Sequence, residues 1–211
     1  MILRGAGIRP GSKALEVGCG TGLFTEMFAA TGAHILAVDL SEDLLGLARR
    51  RDLPADRVSF LARPFEECQV HGLFDAVIGS SVLHHLEVEP SLRKIFDLFS
   101  PGGAMSFAEP NMLDPQNAVQ KNVPWIKRLL GDSPDETAFL RWRLRSLLER
   151  LGFCDVRITP FDWLHPATPR PLIGPVRLLG RVPEKVPLVR EFAGSLMIQA
   201  RRPGPSTARA A

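Results

Sequence analysis

The glycine-rich segment Leu15–Thr25 has the composition of a backbone turn that binds a ligand. It reads Leu-Glu-Val-Gly-Cys-Gly-Thr-Gly-Leu-Phe-Thr, so Gly18, Gly20 and Gly22 alternate with larger residues. Glycine lets a ligand approach the main chain closely, and the amide groups at the start of a following helix favour polar or anionic groups. The segment therefore predicts a binding site for a polar ligand between a strand and a helix.

Two acidic residues accompany this glycine loop. Glu16 lies in the strand before the glycines, and Asp39 ends the second predicted strand, where a carboxylate can accept hydrogen bonds from both hydroxyls of a ribose. A dinucleotide-binding fold also has an acidic residue about 20 positions after its glycine turn, but its glycines are spaced Gly-x-Gly-x-x-Gly. The spacing Gly-x-Gly-x-Gly found here disfavours a dehydrogenase.

Four segments in this order resemble the class I S-adenosylmethionine-dependent methyltransferases that act on small molecules. The glycine loop is followed by Val38-Asp39-Leu40-Ser41, by Phe-Asp-Ala-Val-Ile-Gly-Ser-Ser-Val-Leu-His-His-Leu over Phe74–Leu86, and by Leu98-Phe99-Ser100-Pro101-Gly102-Gly103. The resemblance covers roughly residues 10–111. It implies S-adenosylmethionine as the cofactor.

The resemblance also implies which residues bind that cofactor. Asp39 holds the ribose, Leu40 flanks the adenine and Ser80 lies beside the amino-acid moiety. The residues expected around the methionine end belong to the glycine loop: Glu16, Gly18, Cys19, Gly20 and Gly22.

The segment after the third strand departs from the pattern of this family. Many relatives have an acid there that contacts the adenine amino group, whereas this chain has Ala62-Arg63-Pro64-Phe65-Glu66. Arg63 has only donors and cannot accept a hydrogen bond from that group. We expect backbone atoms around Ala62, together with Leu40 or Phe65, to hold the adenine, or Glu66 to reach back to it.

The residues placed for catalysis are His84, His85 and Glu109. Methyl transfer from a sulfonium is an in-line displacement, so the protein mainly aligns the acceptor and excludes water, and a base helps when the acceptor is a hydroxyl. Ligands of open α/β sheets bind beyond the carboxyl ends of the strands, where these residues are predicted, and a carboxylate can orient a histidine base. Two alternatives stay open: the histidines only pack or cap a turn, and Glu109 belongs to the turn-forming Glu-Pro-Asn. No metal site is predicted.

The acceptor is predicted to be a small molecule, including a lipid or lipid-linked one. Nucleic acid is disfavoured, because base-modifying amino methyltransferases show Asp- or Asn-Pro-Pro-aromatic where this chain has Ser80-Ser81-Val82-Leu83, and because the chain contains no Tyr. Two alternatives to a small-molecule enzyme stay open: a nucleic-acid methyltransferase, and a non-catalytic cofactor-binding or partner protein of the same fold.

The C-terminal region is basic and rich in proline. Residues 167–211 carry eight Arg or Lys and two Glu, a net charge of +6, against +3 for the whole chain. Residues 166–190 combine these cations with Leu172, Leu178 and Leu179. We expect this segment to form either a lid over the pocket or an amphipathic surface that contacts a membrane peripherally.

These site residues require a sheet that brings several strand ends together. Apolar runs alternate with helical patterns through the first 110 residues, which predicts repeated β-α units. The predicted fold is α/β, a doubly wound Rossmann-like sheet of seven strands, mostly parallel with an antiparallel last strand, and with helices on both faces. The predicted strands are Lys13–Val17, His34–Asp39, Val58–Ala62, Phe74–Ser80, Ala104–Glu109, Asp155–Thr159 with an extension toward Trp163, and Ser195–Arg201.

Helices are predicted between these strands. Ser41, Ser91 and Ser133 are interpreted as N-caps, and the last of these helices should end at about Leu151. The predicted ranges are Gly22–Thr31, Ser41–Arg50, Ser91–Phe99 and 133–151. We expect a single domain over residues 1–202, with lid-like insertions at about 110–131 and 164–193 and a disordered tail at 203–211.

Composition indicates a water-soluble cytoplasmic protein. Apolar residues make up 45% of the chain and charged residues 23%, and no apolar run approaches the ~20 residues that span a bilayer. The three cysteines are widely spaced and show neither zinc-ligand spacing nor an even disulfide set. No secretory signal is recognisable at the start.

Overall fold

One seven-stranded sheet forms the centre of the computed structural model, which describes residues 1–70, 72–123, 138–164, 168–180, 182–183 and 186–205. The sheet has the strand order β3-β2-β1-β4-β5-β7-β6. Its strands are β1 (Lys13–Val17), β2 (His34–Asp39), β3 (Val58–Ala62), β4 (Phe74–Ser80), β5 (Phe99–Pro110), β6 (Cys154–Phe161) and β7 (Ser195–Arg201). The predicted doubly wound α/β fold is confirmed.

The direction of the strands follows the prediction as well. Strands β1 to β5 pair in parallel, whereas β7 runs antiparallel to both β5 and β6. The strand order reverses between β1 and β4, so their carboxyl ends diverge into the crevice where open α/β sheets bind ligands. Both the glycine loop and the turn after β4 start at this crevice.

Helices cover both faces of the sheet. Residues that point to opposite sides of one strand belong to different cores, as Leu15 and Ala14 of β1 show. The α-helices among the described residues are α1 (Ile2–Gly5), α2 (Leu23–Ala29), α3 (Glu42–Ala48), α4 (Val88–Asp97), α5 (Pro115–Asn122), α6 (Arg141–Arg150), α7 (Ile173–Gly180) and α8 (Pro187–Arg190). The N-cap predicted for α3 is confirmed, since Ser41 Oγ accepts from the amide of Leu44 at 3.3 Å.

One predicted helix start is wrong. Ser91 is a buried residue inside α4, and the N-cap of this helix is Glu87. The helix can start before Pro90 because proline is tolerated in the first helical turn, where a backbone amide has no partner within the helix. The helix predicted over 133–151 does not include residues 138–140, which are not helical, and α6 begins at Arg141. The N-cap predicted at Ser133 lies outside the described residues. Phe139 forms a β-bridge with Asn111, and this pairing keeps the chain extended before α6.

Strand β5 is longer than predicted. It begins at Phe99 rather than Ala104, because the predicted turn Ser100–Gly103 is built into the strand as an irregularity opposite Phe74–Ala76 of β4. Gly102 adopts a φ of 82°, which glycine tolerates, and its amide donates to Arg202 O at 3.2 Å. The other end of β5 carries Glu109 into the crevice.

Within the described ranges, no helix combines the length and the apolar character needed to cross a membrane.

Candidate active site

The glycine loop bends sharply at the carboxyl end of β1. Gly18, Gly20 and Gly22 have φ values of 68°, 52° and 74°, in the left-handed region that glycine adopts without strain. The amides of Gly18 and Cys19 both donate to Val38 O, at 2.8 and 3.1 Å, and this anchors the loop to the end of β2. The shape of the loop therefore depends on glycine at all three positions.

The three glycines differ in what surrounds them. A Cβ atom added at Gly18 would lie 2.5 Å from Val82 Cγ2, and one at Gly22 would lie 2.9 Å from Ala48 Cβ. At Gly20 an added Cβ would have no heavy atom within 4 Å. Gly18 and Gly22 thus permit close packing within the protein, whereas Gly20 borders open space where a ligand can approach the backbone.

Asp39 lies against this loop, as the sequence predicts. Its Oδ2 accepts from the amide of Gly20 at 2.7 Å, and its Oδ1 accepts from the amide of Ser41 at 2.9 Å. A carboxylate accepts about four hydrogen bonds, so two positions remain for a ligand. The half-buried side chain is suited to hold the two hydroxyls of a ribose.

Glu16 lies buried below the loop and is 2% exposed. Its Oε2 accepts from the Thr25 hydroxyl at 2.6 Å. The pKa of Glu16 is raised to about 8, mainly because the carboxyl is buried. The hydrogen bond from Thr25 lowers the pKa and the charge of Asp39 raises it, and both effects are smaller than that of burial. A cationic ligand group placed beside Glu16 would favour its charged form. Burial also raises the pKa of the Cys19 thiol, so Cys19 lines the loop as an unreactive thiol.

The residues predicted around an adenine lie in different surroundings. Leu40 directly follows β2 and is 77% exposed, so its side chain is available to a flat apolar ligand. Ala62 ends β3 and is half-buried, and the next amide, that of Arg63, donates to Asp39 O at 2.9 Å. The Phe65 ring is buried in the core, and its contact with adenine stays a prediction.

His84 and Glu109 form a pair at the carboxyl ends of β4 and β5. His84 Nδ1 lies 2.8 Å from Glu109 Oε2, and Glu109 Oε1 accepts from the amides of Val82 and Leu83 at 3.0 and 2.9 Å. Both side chains are buried, with exposed fractions of 7% and 0%. Because a carboxylate only accepts, Nδ1 carries the ring proton and Nε2 keeps a lone pair that can act as a base.

The remaining predicted residues lie at the same edge of the sheet. The ring of His85 lies over that of His84, with centroids 4.0 Å apart and an angle of 38° between the planes. Ser80 ends β4 and is half-buried, and Ser81 then turns the chain with a φ of 53°. Among the described residues, no cluster of three or more His, Cys, Asp or Glu side chains could hold a metal ion.

Lys94 of α4 holds the segment after β3, and the sequence pattern did not identify it. Its Nζ donates to the backbone oxygens of Phe65, Glu66 and Cys68 at 2.6, 3.1 and 2.6 Å. The ammonium also lies 4.9 Å from the centroid of the Phe65 ring. Lys94 therefore positions the segment that the resemblance assigns to the adenine.

Val82 and Arg51 support the glycine loop and were also not predicted. The added Cβ atoms of Gly18 and Gly79 would both lie within 2.8 Å of Val82 side-chain atoms, so Val82 packs on both glycines. Arg51 Nε donates to Thr21 O at 2.6 Å from 30 residues away. The apolar side chain of Val82 predicts that this residue is buried, but it does not reveal that the residue packs on Gly18 and Gly79.

The donor set at this edge fits S-adenosylmethionine. The open space at Gly20 admits a ligand to the loop, Asp39 retains acceptor positions for a ribose, and the buried carboxyl of Glu16 suits a cationic group. Leu40 offers an exposed apolar surface next to Asp39.

Known proteins that are similar to this chain are methyltransferases, the class that the motifs resemble. Residues 14–103 match the family described as a methyltransferase domain. Demethylmenaquinone methyltransferase of Corynebacterium urealyticum is 28% identical over 147 residues, which cover 66% of this chain and 62% of that protein. Ubiquinone biosynthesis O-methyltransferase of Xanthomonas campestris is 33% identical over 126 residues, which cover 57% of this chain and 53% of that protein.

The fold is shared with solved methyltransferase structures. An S-adenosylmethionine dependent methyltransferase from Mesorhizobium loti superposes with a TM-score of 0.67 at 19% identity, covering 92% of this chain and 93% of that chain. Over residues 14–103 and in its fold, the chain is thus similar to class I S-adenosylmethionine-dependent methyltransferases. Its match spans 62% and 53% of the length of the two curated relatives.

Proposed function

We propose that this protein transfers the methyl group of S-adenosylmethionine to a hydroxyl oxygen of a small, quinone-related acceptor. The observation that carries the proposal is the buried pair of His84 and Glu109 beside the glycine loop, because a base with a fixed tautomer is most useful for a hydroxyl. The names of two relatives support the acceptor class, since one refers to demethylmenaquinone and the other to O-methylation in ubiquinone biosynthesis.

The cofactor side of the site follows from the crevice between β1 and β4. When bound, S-adenosylmethionine supplies a methyl group activated by a positively charged sulfur. Asp39 would accept hydrogen bonds from the two ribose hydroxyls. Leu40 and the backbone near Ala62 would flank the adenine. The residues proposed for the methionine end are Glu16, Gly18, Cys19, Gly20, Gly22 and Ser80.

The acceptor side depends on a proton transfer to His84. Its Nε2 accepts the hydroxyl proton, and Glu109 stabilises the imidazolium that forms, through the 2.8 Å contact at Nδ1. The two backbone amides that bind Glu109 keep the carboxylate in place when the charge of the imidazole changes. Burial of the pair strengthens this electrostatic stabilisation.

Calorimetry with S-adenosylmethionine tests the cofactor site. We expect Asp39→Ala to weaken binding at least about tenfold, the equivalent of one lost charged hydrogen bond. Asp43→Ala, which removes an exposed acid on α3, is the matched control and should bind like the wild type. Wild-type affinity in Asp39→Ala would show that the proposed cofactor site is wrong.

Turnover with hydroxyl-bearing quinone precursors tests the acceptor side. We expect His84→Gln to lower the methylation rate about 10²–10⁴-fold with unchanged cofactor affinity. Methylation only of amine or carbon acceptors, or a His84→Gln variant as fast as the wild type, would contradict the proposal. Cofactor binding without any methylation would favour a non-catalytic protein of this fold.

A further inference from the structure

We propose that the described residues of the segment 168–192, which are 168–180, 182–183 and 186–192, form a surface that docks on an anionic lipid bilayer. Within the described part of this segment, eight large apolar side chains are between 42% and 81% exposed. Isolated exposed apolar residues are common on proteins, but a dense group of them marks an interaction surface. The eight residues are Leu172, Leu178, Leu179, Val182, Val186, Leu188, Val189 and Phe192.

Helix α7 shows how the segment presents these side chains. An added Cβ atom at Gly180 would lie 3.3 Å from Trp163 Cβ, so the buried end of the helix packs on the chain that follows β6. Leu178 and Leu179 are nevertheless 65% and 69% exposed. A surface helix of a water-soluble domain normally turns charged and polar residues outward, and α7 instead turns leucines to the solvent.

Charge identifies an anionic membrane as the occupant. In the sequence, residues 168–192 carry five Arg or Lys and two Glu, a net charge of +3, and Arg170 is exposed at the start of the segment. Glu191, one of only two acids in this stretch, is engaged by Arg141, whose Nε lies 2.6 Å from Glu191 Oε2. Exposed apolar side chains in a segment of net positive charge match the boundary between acyl chains and anionic headgroups.

The segment is also tied to the acceptor end of the sheet. Asn111 lies two residues beyond Glu109, and its Nδ2 donates to Glu191 O and Ala193 O at 2.8 and 2.7 Å. Docking would therefore bring the carboxyl end of β5 to the bilayer, where a membrane-dissolved acceptor is available. This last step rests on the proposed function, whereas membrane binding itself does not.

Flotation with lipid vesicles tests the docking surface on the full chain without cofactor or acceptor. The probes are vesicles of phosphatidylcholine alone and vesicles of equal parts phosphatidylcholine and phosphatidylglycerol. We expect the protein to float with the anionic vesicles at low salt, and less at high salt, because salt screens the attraction. The double change Leu178→Glu and Leu179→Glu should weaken this binding at least about tenfold, since two apolar contacts are lost.

Leu73→Glu is the matched control, because Leu73 is 48% exposed just before β4, at the opposite end of the sheet from Glu109. It should float like the wild type. Circular dichroism verifies that the variants fold. No flotation of the wild type with anionic vesicles, or undiminished flotation of the double variant, would overturn the proposal.

Light scattering after size-exclusion chromatography tests whether a second copy of this chain, rather than a membrane, binds to the surface. A wild-type dimer that the double variant dissociates, without vesicle binding, would make this surface an interface between two copies and overturn membrane docking. A protein that floats but methylates no hydroxyl acceptor would refute the proposed function alone.

Discussion

His84 Nδ1 meets Glu109 Oε2 at 2.8 Å although 25 residues separate them in the chain. The contact arises because β4 and β5 are parallel neighbours, with Ser80 opposite Ala108 at their carboxyl ends. The chain leaving β4 turns through Leu83–His85 and lies back over the end of β5, where its amides bind the same carboxylate. The turn and Glu109 therefore form one hydrogen-bonded unit.

The first prediction concerns Glu109→Gln. Glutamine keeps one oxygen for the two amides but has an NH₂ donor in place of the second acceptor, so it favours the opposite His84 tautomer, in which Nδ1 accepts and Nε2 carries the proton. We expect kcat to fall about 10²–10³-fold while the affinity for S-adenosylmethionine stays unchanged. Steady-state kinetics and calorimetry measure the two quantities, and Glu87→Gln, at the exposed N-cap of α4, is the control.

A double variant separates positioning from a general structural effect. If Glu109 acts only through His84, adding Glu109→Gln to His84→Gln should slow the reaction no further. Independent losses that multiply would show that Glu109 does not act through His84.

The second prediction concerns the pH dependence of stability at Glu16. Burial raises its pKa to about 8 in the folded protein, against an ordinary value of 4.5 that applies to the unfolded chain, so between these values the folded state binds the extra proton. Stability should therefore fall as the pH rises from about 5 to about 8, by on the order of 5 kcal/mol, and remain low above that. Glu16→Gln keeps an oxygen for the Thr25 hydroxyl and should lose most of this dependence.

Thermal unfolding of the cofactor-free protein across this pH range measures the effect. Glu42→Gln is the control, because Glu42 is an exposed acid that pairs with Arg49 on α3. Parallel melting curves for the wild type and Glu16→Gln at every pH would contradict an elevated pKa at Glu16.

Much of the fold could be predicted from the sequence because its signals are local. The bounds of β1 to β4 and β7 agree with the predicted ranges, since each strand is a short apolar run between turn residues or helical patterns. Errors occur where tertiary contacts decide the element. The bridge between Phe139 and Asn111 keeps Phe139 out of the predicted helix, and such a pairing has no signature in the local sequence.

In the candidate site too, residues that belong to a local sequence pattern could be predicted, whereas residues that act through distant contacts could not. Asp39 and the glycines could be predicted because a ligand-binding turn needs these residue types at a fixed spacing. Lys94 could not, because its three carbonyl partners lie 26 to 29 residues away in an irregular segment. The burial of Phe65 in the core could not be predicted either, because an aromatic residue near a predicted site has the same sequence signal whether it contacts a ligand or packs in the core.

The third prediction concerns the close contact between Gly18 and Val82. Gly18→Ala introduces a Cβ atom 2.5 Å from Val82 Cγ2 and strains a φ of 68°. We expect a loss of about 1–3 kcal/mol in unfolding free energy, with part of it restored by Val82→Ala in the same chain. Gly7→Ala is the control, because Gly7 has a φ of 63° with nothing within 4 Å of an added Cβ. Equal losses in Gly18→Ala and Gly7→Ala would mean that Val82 does not restrict the loop.

The fourth prediction concerns Lys94, which binds three backbone carbonyls after β3. Lys94→Met keeps the apolar stem but removes every one of these hydrogen bonds, so the unfolding free energy should fall by about 2 kcal/mol. Urea unfolding with an unchanged slope measures this loss. Arg93→Met removes the neighbouring cation, which pairs with Glu89 at 3.1 Å on the exposed side of α4, and should cost less than about 0.5 kcal/mol. A similar loss of unfolding free energy in the two variants would show that the Lys94 hydrogen bonds do not stabilise the segment after β3. A larger loss in Lys94→Met alone, together with weaker S-adenosylmethionine binding, would connect this lysine to the adenine end of the site.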